Sequence, residues 1–452
     1  MKKLLSIIMC IAVVLAFAAC GGESGAGGSG TAGGSGTAGG KDTAATGEAA
    51  KTAAKADGTI EDLVAQYTGI ETDELTWEFK ENEKKLIISG EGPMRDYSET
   101  APPWNDFYNE IEHIVICDEV TSVGAAAFMV FDNLVDVSLG EAVEFIGDSA
   151  FYYCHELRTV NFPENLKYVG PFAFCNTLLH SENGFILPEG LLYVGDSAFF
   201  SAFKESFVSI PASLEYIGVD AFSNTYVEAF VVSEDNKSYA SYEDALYDKN
   251  ITELIYYPPL KDSTVLELPE SLKKIGRNSI QVNNTLESIT IPADVETIEQ
   301  GALYWDYAMK YVYVDENNQN YISDNGVLYT KDYKVLLYYP QALEYTEYTV
   351  KEGTEEIGDL SMGHSDNLEA IHIPEGVTRI GDTAFCGCNN LKTLGLPESL
   401  KVVEQDATCF CDALERINYA GSAEEWQNIE IDEYGNDPLL GQYSNAQIFP
   451  AK

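Results

Sequence analysis

The chain has 452 residues, 45% of them apolar, and sets 27 lysines and arginines against 73 aspartates and glutamates, a formal charge of −46. A surface of that sign repels phosphate backbones and anionic lipid headgroups, which excludes a nucleic-acid partner and leaves the membrane reachable only through a covalent anchor. Length alone allows two or three ordinary domains, but an array of short repeats grows by stacking, so length does not fix the domain count here.

The N-terminus reads Lys2-Lys3, an apolar run from Leu4 to Phe17, then Ala18-Ala19-Cys20. This is the layout of an export signal, with an apolar run too short for a permanent membrane span. A cysteine directly after two small residues predicts a lipoprotein signal over residues 1–19 and lipidation at Cys20, although Phe17 stands where leucine is usual. Loss of Lys2 and Lys3 with the signal takes the charge from −46 to −48. Residues 20–58 are rich in Gly, Ser, Thr and Ala and predict a flexible tether with a reach of roughly 33 Å. Its Gly40-Lys41 is no phosphate loop, because Ser35 and Asp42 replace the glycine and the hydroxyl residue such a loop needs.

Residues 59–110, with Trp77-Glu78-Phe79, Leu86-Ile87-Ile88-Ser89-Gly90-Glu91-Gly92 and Pro102-Pro103-Trp104, follow no repeat and predict an N-terminal cap. From 111 to 419 an Ile/Val-Gly pair recurs about every 23 residues: Val123-Gly124, Ile146-Gly147, Val169-Gly170, Val194-Gly195, Ile217-Gly218, Ile275-Gly276, Ile357-Gly358 and Ile380-Gly381. Ile298-Glu299 and Val403-Glu404 keep the register without the glycine. Each pair follows Leu-x-x-Ile-x-Ile-Pro, as in Leu368, Ile371, Ile373 and Pro374, and precedes Ala-Phe, as in Ala384-Phe385. Apolar residues two apart share a strand face, and the proline ends the strand. The glycine is expected at a positive φ in a tight corner. A unit this short must bury its apolar stripe against its neighbours, which predicts a mainly β solenoid with a parallel sheet and an internal ladder of Phe128, Phe151, Phe174, Phe199, Phe222 and Phe385. About thirteen strands at ~4.8 Å spacing would give an array on the order of 60 Å long.

Two long intervals match each other at an offset of 82 residues: Asn236 with Asn318, Leu246-Tyr247 with Leu328-Tyr329, and Tyr256-Tyr257-Pro258 with Tyr338-Tyr339-Pro340. They predict β-hairpin inserts near 232–262 and 314–344. Residues 420–452, with Tyr419-Ala420-Gly421 at their entry, Trp426, Ile429 and Ile448-Phe449, predict a C-terminal cap over an otherwise open strand edge.

Taken together, the Leu-x-x-Ile-x-Ile-Pro…Ile-Gly…Ala-Phe unit, the Ser-Gly-Glu-Gly…Pro-Trp entry, the Gly-Val-Leu-Tyr…Tyr-Tyr-Pro insert and the Tyr-Ala-Gly…Glu-Glu-Trp exit resemble the BspA-like leucine-rich-repeat surface proteins of bacteria, from Trp77 to Phe449. The resemblance implies a solenoid displayed on the extracellular face of the envelope and used for attachment to host matrix proteins, cell-surface proteins or other microbes. It carries no catalytic set. Asn278-Ser279-Ile280 and Leu360-Ser361-Met362 replace Ala-Phe, a departure confined to single corners.

Candidate sites are few. Cys386 and Cys388 recur one unit later as Cys409 and Cys411. Cys154, Cys388 and Cys411 fall where the repeat takes a small buried residue, which favours buried thiols; vertical disulfides and a zinc site stay open. The five histidines form no His-Glu-x-x-His, and His113 and His372 are expected on the solvent side of a strand. Asp315-Glu316-Asn317-Asn318 and Glu234-Asp235-Asn236 are oxygen-rich turns without the spacing of a calcium loop. No metal, cofactor or catalytic residue is nominated. The ligand-binding candidates are Tyr256, Tyr257, Tyr338, Tyr339, Tyr304 and Trp305, with one tyrosine of each Tyr-Tyr pair expected to face outward. The reading is a non-enzymatic, lipid-anchored surface protein that binds a protein ligand; capture of a glycan, or a structural envelope role, is the alternative.

Overall fold

The computed structural model describes residues 59–70, 73–98, 100–304, 306–441 and 446–451. Cys20, the signal and the tether lie outside them. Two units are distinguished among the described residues, one running up to Leu179 with Gly190–Ala202 and Tyr216–Ala221, the other comprising His180–Glu189, Phe203–Glu215 and the chain from Phe222 on.

In the first unit an antiparallel hairpin, Thr76–Lys80 with Lys85–Ser89, starts a sheet that continues in parallel through His113–Ile116, Asp136–Ser138 and Thr159–Asn161. A second, wholly parallel sheet runs through Gly92–Pro93, Val120–Val123, Phe145–Ile146, Tyr168–Val169, Tyr193–Val194 and Tyr216–Ile217. The stacking brings equivalent repeat positions side by side, Ile114 on Val137 on Val160. Phe128, Phe151, Phe174 and Phe199 accordingly form a buried ladder with ring centroids 5.4, 5.2 and 5.5 Å apart. Trp104 closes it at one end, stacking on Phe128 at 5.4 Å and donating its Nε1 proton to the Ala127 carbonyl.

The repeat glycines do not have positive φ. They sit where one coil lies directly on the backbone of the last: a Cβ at Gly195 would fall 2.4 Å from the Pro171 nitrogen, and one at Gly381 2.6 Å from the Asp359 nitrogen. Close approach, not torsion, demands glycine. The left-handed residues come two and six places later and are mostly not glycine: Ala126 and Val130, Ser149 and Tyr153, Phe172 and Asn176, Ser197 and Ser201, Thr383 and Gly387. With these bends, alternate amides along the third side donate to the next coil, as Ser149, Phe151 and Tyr153 do to the carbonyls of Pro171, Ala173 and Cys175. At the two positions lacking glycine, Glu299 accepts the Arg277 amide and pairs with Lys274 at 2.8 Å, and Glu404 pairs with Arg379 at 3.2 Å.

A helix at Thr59–Tyr67 was not anticipated. Its Ile60, Leu63 and Tyr67 cover the outer side of the second sheet, where Phe145, Tyr168 and Tyr193 stack at 4.3 and 4.5 Å. An unusually apolar outer row thereby gains a cover.

The second unit repeats the two-sheet plan. One side is built from three sheets: Phe185–Ile186, Lys204–Ile210 and Tyr226–Val232; then Val265–Glu267, Ser288–Ile291 and Tyr311–Val314; then Glu347–Thr349, Ala370–His372, Thr393–Leu396, Arg416–Tyr419 and Gln447–Pro450. The other side carries the short Ile-Gly strands, which the inserts extend. At the C-terminal end Gln447–Pro450 pairs with Arg416–Tyr419, and Ser422 with Glu425 forms a capping box for the turn of helix Ala423–Trp426. Trp426 packs edge-on to Tyr419 at 5.2 Å.

Candidate interaction surface

Each insert is a three-stranded antiparallel meander rather than a simple hairpin: Tyr239–Tyr242, Ala245–Asp248 and Glu253–Tyr256, and again Tyr321–Asp324, Val327–Thr330 and Val335–Tyr338. The last strand of each pairs in parallel with the next Ile-Gly strand, which welds the insert to the coil. Asn236 and Asn318 bracket the entry. Each side-chain amide donates to two carbonyls of the preceding coil, and each side-chain oxygen accepts two amides of its own turn. These oxygen-rich turns are therefore structural brackets.

The expected outward tyrosine is not found. Tyr256, Tyr257, Tyr338 and Tyr339 are all buried. Strand alternation ends at Tyr256 and Tyr338; the next residue leaves the strand, and the amides of Tyr257 and Tyr339 donate to Ser279 and Ser361 of the following coil, which draws both rings inward. Tyr304 is buried too, 6.0 Å from the His364 ring, and Trp305 lies outside the described residues. These side chains supply the core of the inserts and coils.

Cys386 and Cys409 form a disulfide with Cα atoms 4.7 Å apart, which corrects the buried-thiol reading for that pair and the zinc alternative for all four. Cys388 and Cys411 stay as buried thiols; like Cys154 they donate to a carbonyl of the preceding coil, Met362, Phe385 and Phe128 respectively, at 3.1–3.2 Å. Thr177 and Thr225 stand at the same repeat position and donate to Phe174 and Phe222. Side chains with a proton to give are common in this column, although Phe131 and Ala202 also stand in it. Asp306 occupies it as a fully buried carboxyl, and desolvation holds its pKa well above the usual carboxylate range. Among the described residues no group of three or more His, Cys, Asp or Glu is placed to hold a metal ion.

His113 and His372 lie half-buried on outer strand faces and pair with Asp136 and Glu347. A crevice of about 240 Å³ opens between Ile298–Tyr304 and Val335–Leu360, with Leu328, Leu337 and Leu360 in its walls. Its carboxylates are already engaged: Glu299 by Lys274, and Glu356 and Asp359 by Arg379.

The feature that sequence reasoning missed is an exposed aromatic pair. Tyr311 and Tyr313 are 44% and 50% exposed, with ring centroids 5.9 Å apart, on the outer face of the three-stranded sheet that ends at Tyr311–Val314. Alternation was the available signal: in Tyr-Val-Tyr-Val the valine at 312 takes the inward place, so both tyrosines must point out.

Stacked parallel coils of about 23 residues with Leu/Ile ladders define a leucine-rich-repeat solenoid. The BspA type leucine-rich-repeat region is matched in six copies over residues 105–228, 259–334 and 339–430, and the chain belongs to that family. No curated protein matches it. Among solved structures it is similar to a leucine-rich repeat protein from Eubacterium ventriosum, with 21% identity, 84% of this chain and 95% of that one covered and a TM-score of 0.56. A leucine-rich cell surface protein from Faecalibacterium prausnitzii gives 21%, 82%, 99% and 0.48, and the pneumococcal vaccine antigen PcpA 16%, 85%, 98% and 0.46.

Proposed function

We propose that the chain is a non-enzymatic, lipid-anchored bacterial surface protein whose solenoid binds a protein ligand on host matrix, host cells or other microbes. The observation that carries this is the outer sheet face with its unpartnered aromatic pair, offered on a strongly acidic scaffold. Aromatic side chains, tyrosine prominently, are the residues on which protein interfaces concentrate their energy. Support for the extracellular address comes from the Cys386–Cys409 disulfide, since such bonds persist in oxidising compartments, and from the export-signal pattern read over residues 1–19, directly before Cys20. Among the described residues no helix is long and apolar enough to cross a membrane. Lipidation at Cys20 and the tether would let several copies engage one target, raising avidity without new contacts.

The experiment compares cells making the natural chain with cells making Cys20→Ala. The natural chain is expected to be removed by protease from intact cells and to support attachment to a protein-coated surface. The variant is expected in the medium, with attachment lost. Protease resistance of the natural chain on intact cells would overturn the proposal.

A further inference from the structure

The outer face of the sheet Val265–Glu267, Ser288–Ile291 and Tyr311–Val314 presents two cross-strand rows: Val265, Ser288 and Tyr311, and Glu267, Thr290 and Tyr313. Small side chains in the middle strand leave a shelf, with Val265 (49% exposed) and Glu267 on one side and the tyrosine pair on the other. The molecule contains its own control. At the offset of 82 residues, strand Tyr226–Val232 sets Ala229 and Val231 at the places of Tyr311 and Tyr313. There the Phe230 amide donates to the Asp244 carbonyl of its insert, as the Val312 amide does to Gly326. The same backbone therefore forms with alanine and valine, and packing does not call for the tyrosines.

The pair is also held in place. Gly326, at φ +92°, lies so close to Tyr311 that a Cβ there would meet the ring at 2.9 Å, and the Ser323 hydroxyl donates to the Val312 carbonyl. A turn pressed against one ring fixes its position before any partner arrives, and preorganised aromatic surface loses little entropy on binding.

We infer that this shelf binds a basic polypeptide segment, with an arginine or lysine side chain lying on the Tyr311 and Tyr313 rings and directed toward Glu267. The inference rests on the protein-binding reading and names the partner's chemistry. Glu267 is exposed and carries no ion pair among the described residues. Two strand spacings, about 10 Å, separate its strand from that of the tyrosines, a span that a cationic side chain on the rings bridges in combination with a neighbouring basic residue. A guanidinium on a tyrosine face gains from the ring quadrupole, and the field of a chain at −46 steers cations toward it. Val265 and Ser288 take up a small or apolar residue between the basic ones. A neutral glycan would use the rings but neither the free carboxylate nor the field.

The test titrates the mature chain calorimetrically with a nonapeptide alternating arginine and glycine, its glutamate-for-arginine counterpart, and cellohexaose, at about 0.15 and about 0.5 M salt. The variants are Tyr311→Ala with Tyr313→Val, which copies the residues at Ala229 and Val231, and Glu267→Gln. Tyr345→Ala, at an exposed tyrosine on another segment, serves as control. Saturable binding of the arginine peptide is expected, about tenfold weaker in the double variant at both salt levels and about threefold weaker in Glu267→Gln at the lower one, with Tyr345→Ala unchanged. Equal affinity for the natural chain and the double variant, absence of peptide binding, or cellohexaose binding that disappears with the tyrosines would each overturn the inference. An array of matrix proteins bound equally by the natural chain and the double variant would overturn this site and leave the protein-binding reading standing; silence of both on that array would overturn the reading itself.

Discussion

Gly195→Ala is expected to destabilise the first unit by about 3 kcal/mol, although alanine normally stabilises a glycine site of ordinary φ by 0.4–1 kcal/mol. The new Cβ would stand 2.4 Å from the Pro171 nitrogen and 2.7 Å from the Gly170 carbonyl carbon, both of them backbone atoms that cannot swing aside. Separating the coils costs about 1–3 kcal/mol as overpacking. It also strains the 2.8 Å hydrogen bond from the Gly195 amide to Val169, worth about 1 kcal/mol. The companion variant Ser197→Gly relieves a residue at φ +53° and should leave stability unchanged or raise it by up to about 1 kcal/mol. Urea unfolding of the unlipidated chain, followed by circular dichroism and compared at equal m-value, measures both. A neutral or stabilising Gly195→Ala would refute close coil approach as the reason for the repeat glycine.

Phe174→Ala opens the buried ladder between Phe151 and Phe199 and should cost about 3–5 kcal/mol in the same assay. Reduction of Cys386–Cys409, or its replacement by serines, frees a loop set by a 23-residue separation and should cost about 3 kcal/mol, while a thiol reagent under native conditions reaches Cys117 and spares Cys154, Cys388 and Cys411. Asp148 should make the fold more stable in mild acid. Asp96, Asp196 and Asp359 each accept an amide of the next coil, but the counterpart facing Asp148 is Pro171, which has none to give. Burial, with Asp96 and Asp196 nearby, raises its pKa to about 6. A raised carboxyl contributes stability that is complete below the unfolded value near 4 and is lost as pH climbs through about 6. Thermal unfolding should therefore shift downward between pH 5 and pH 7 by an amount that Asp148→Asn reduces; an unchanged shift would contradict this. Deleting residues 59–70 should open Tyr168 and Tyr193 to nitration, with protection in the full chain as the reference.

The strand ladder, the phenylalanine stack and the places of the inserts were legible because a 23-residue solenoid repeats its constraints, so one unit explains the next. The reason for the glycines was misread, since a sequence shows which residue lacks a side chain but not whether torsion or contact requires it. The first hairpin of each insert went unseen as a hairpin, although Asn325-Gly326, both at positive φ, is the usual two-residue turn signal; its Glu243-Asp244 counterpart adopts the same left-handed conformation without a glycine to announce it. Helix Thr59–Tyr67 had its spacing of Ile60, Leu63 and Tyr67 in plain view, but its partner, the tyrosine row of the second sheet, is formed only by stacking. In the candidate surface, Tyr256, Tyr257, Tyr338 and Tyr339 were selected for abundance and pairing, whereas burial depends on where a strand stops. Tyr311 and Tyr313 stay outside because Val312 between them fills the core.

The direct test of the protein-binding account is a titration of the unlipidated chain against arrayed matrix proteins and glycans at about 0.15 and about 0.5 M salt. The account predicts saturable binding to one or more proteins that weakens as salt rises, because an acidic surface meets a basic partner. Binding to glycans alone, insensitive to salt, or silence on both arrays would contradict it.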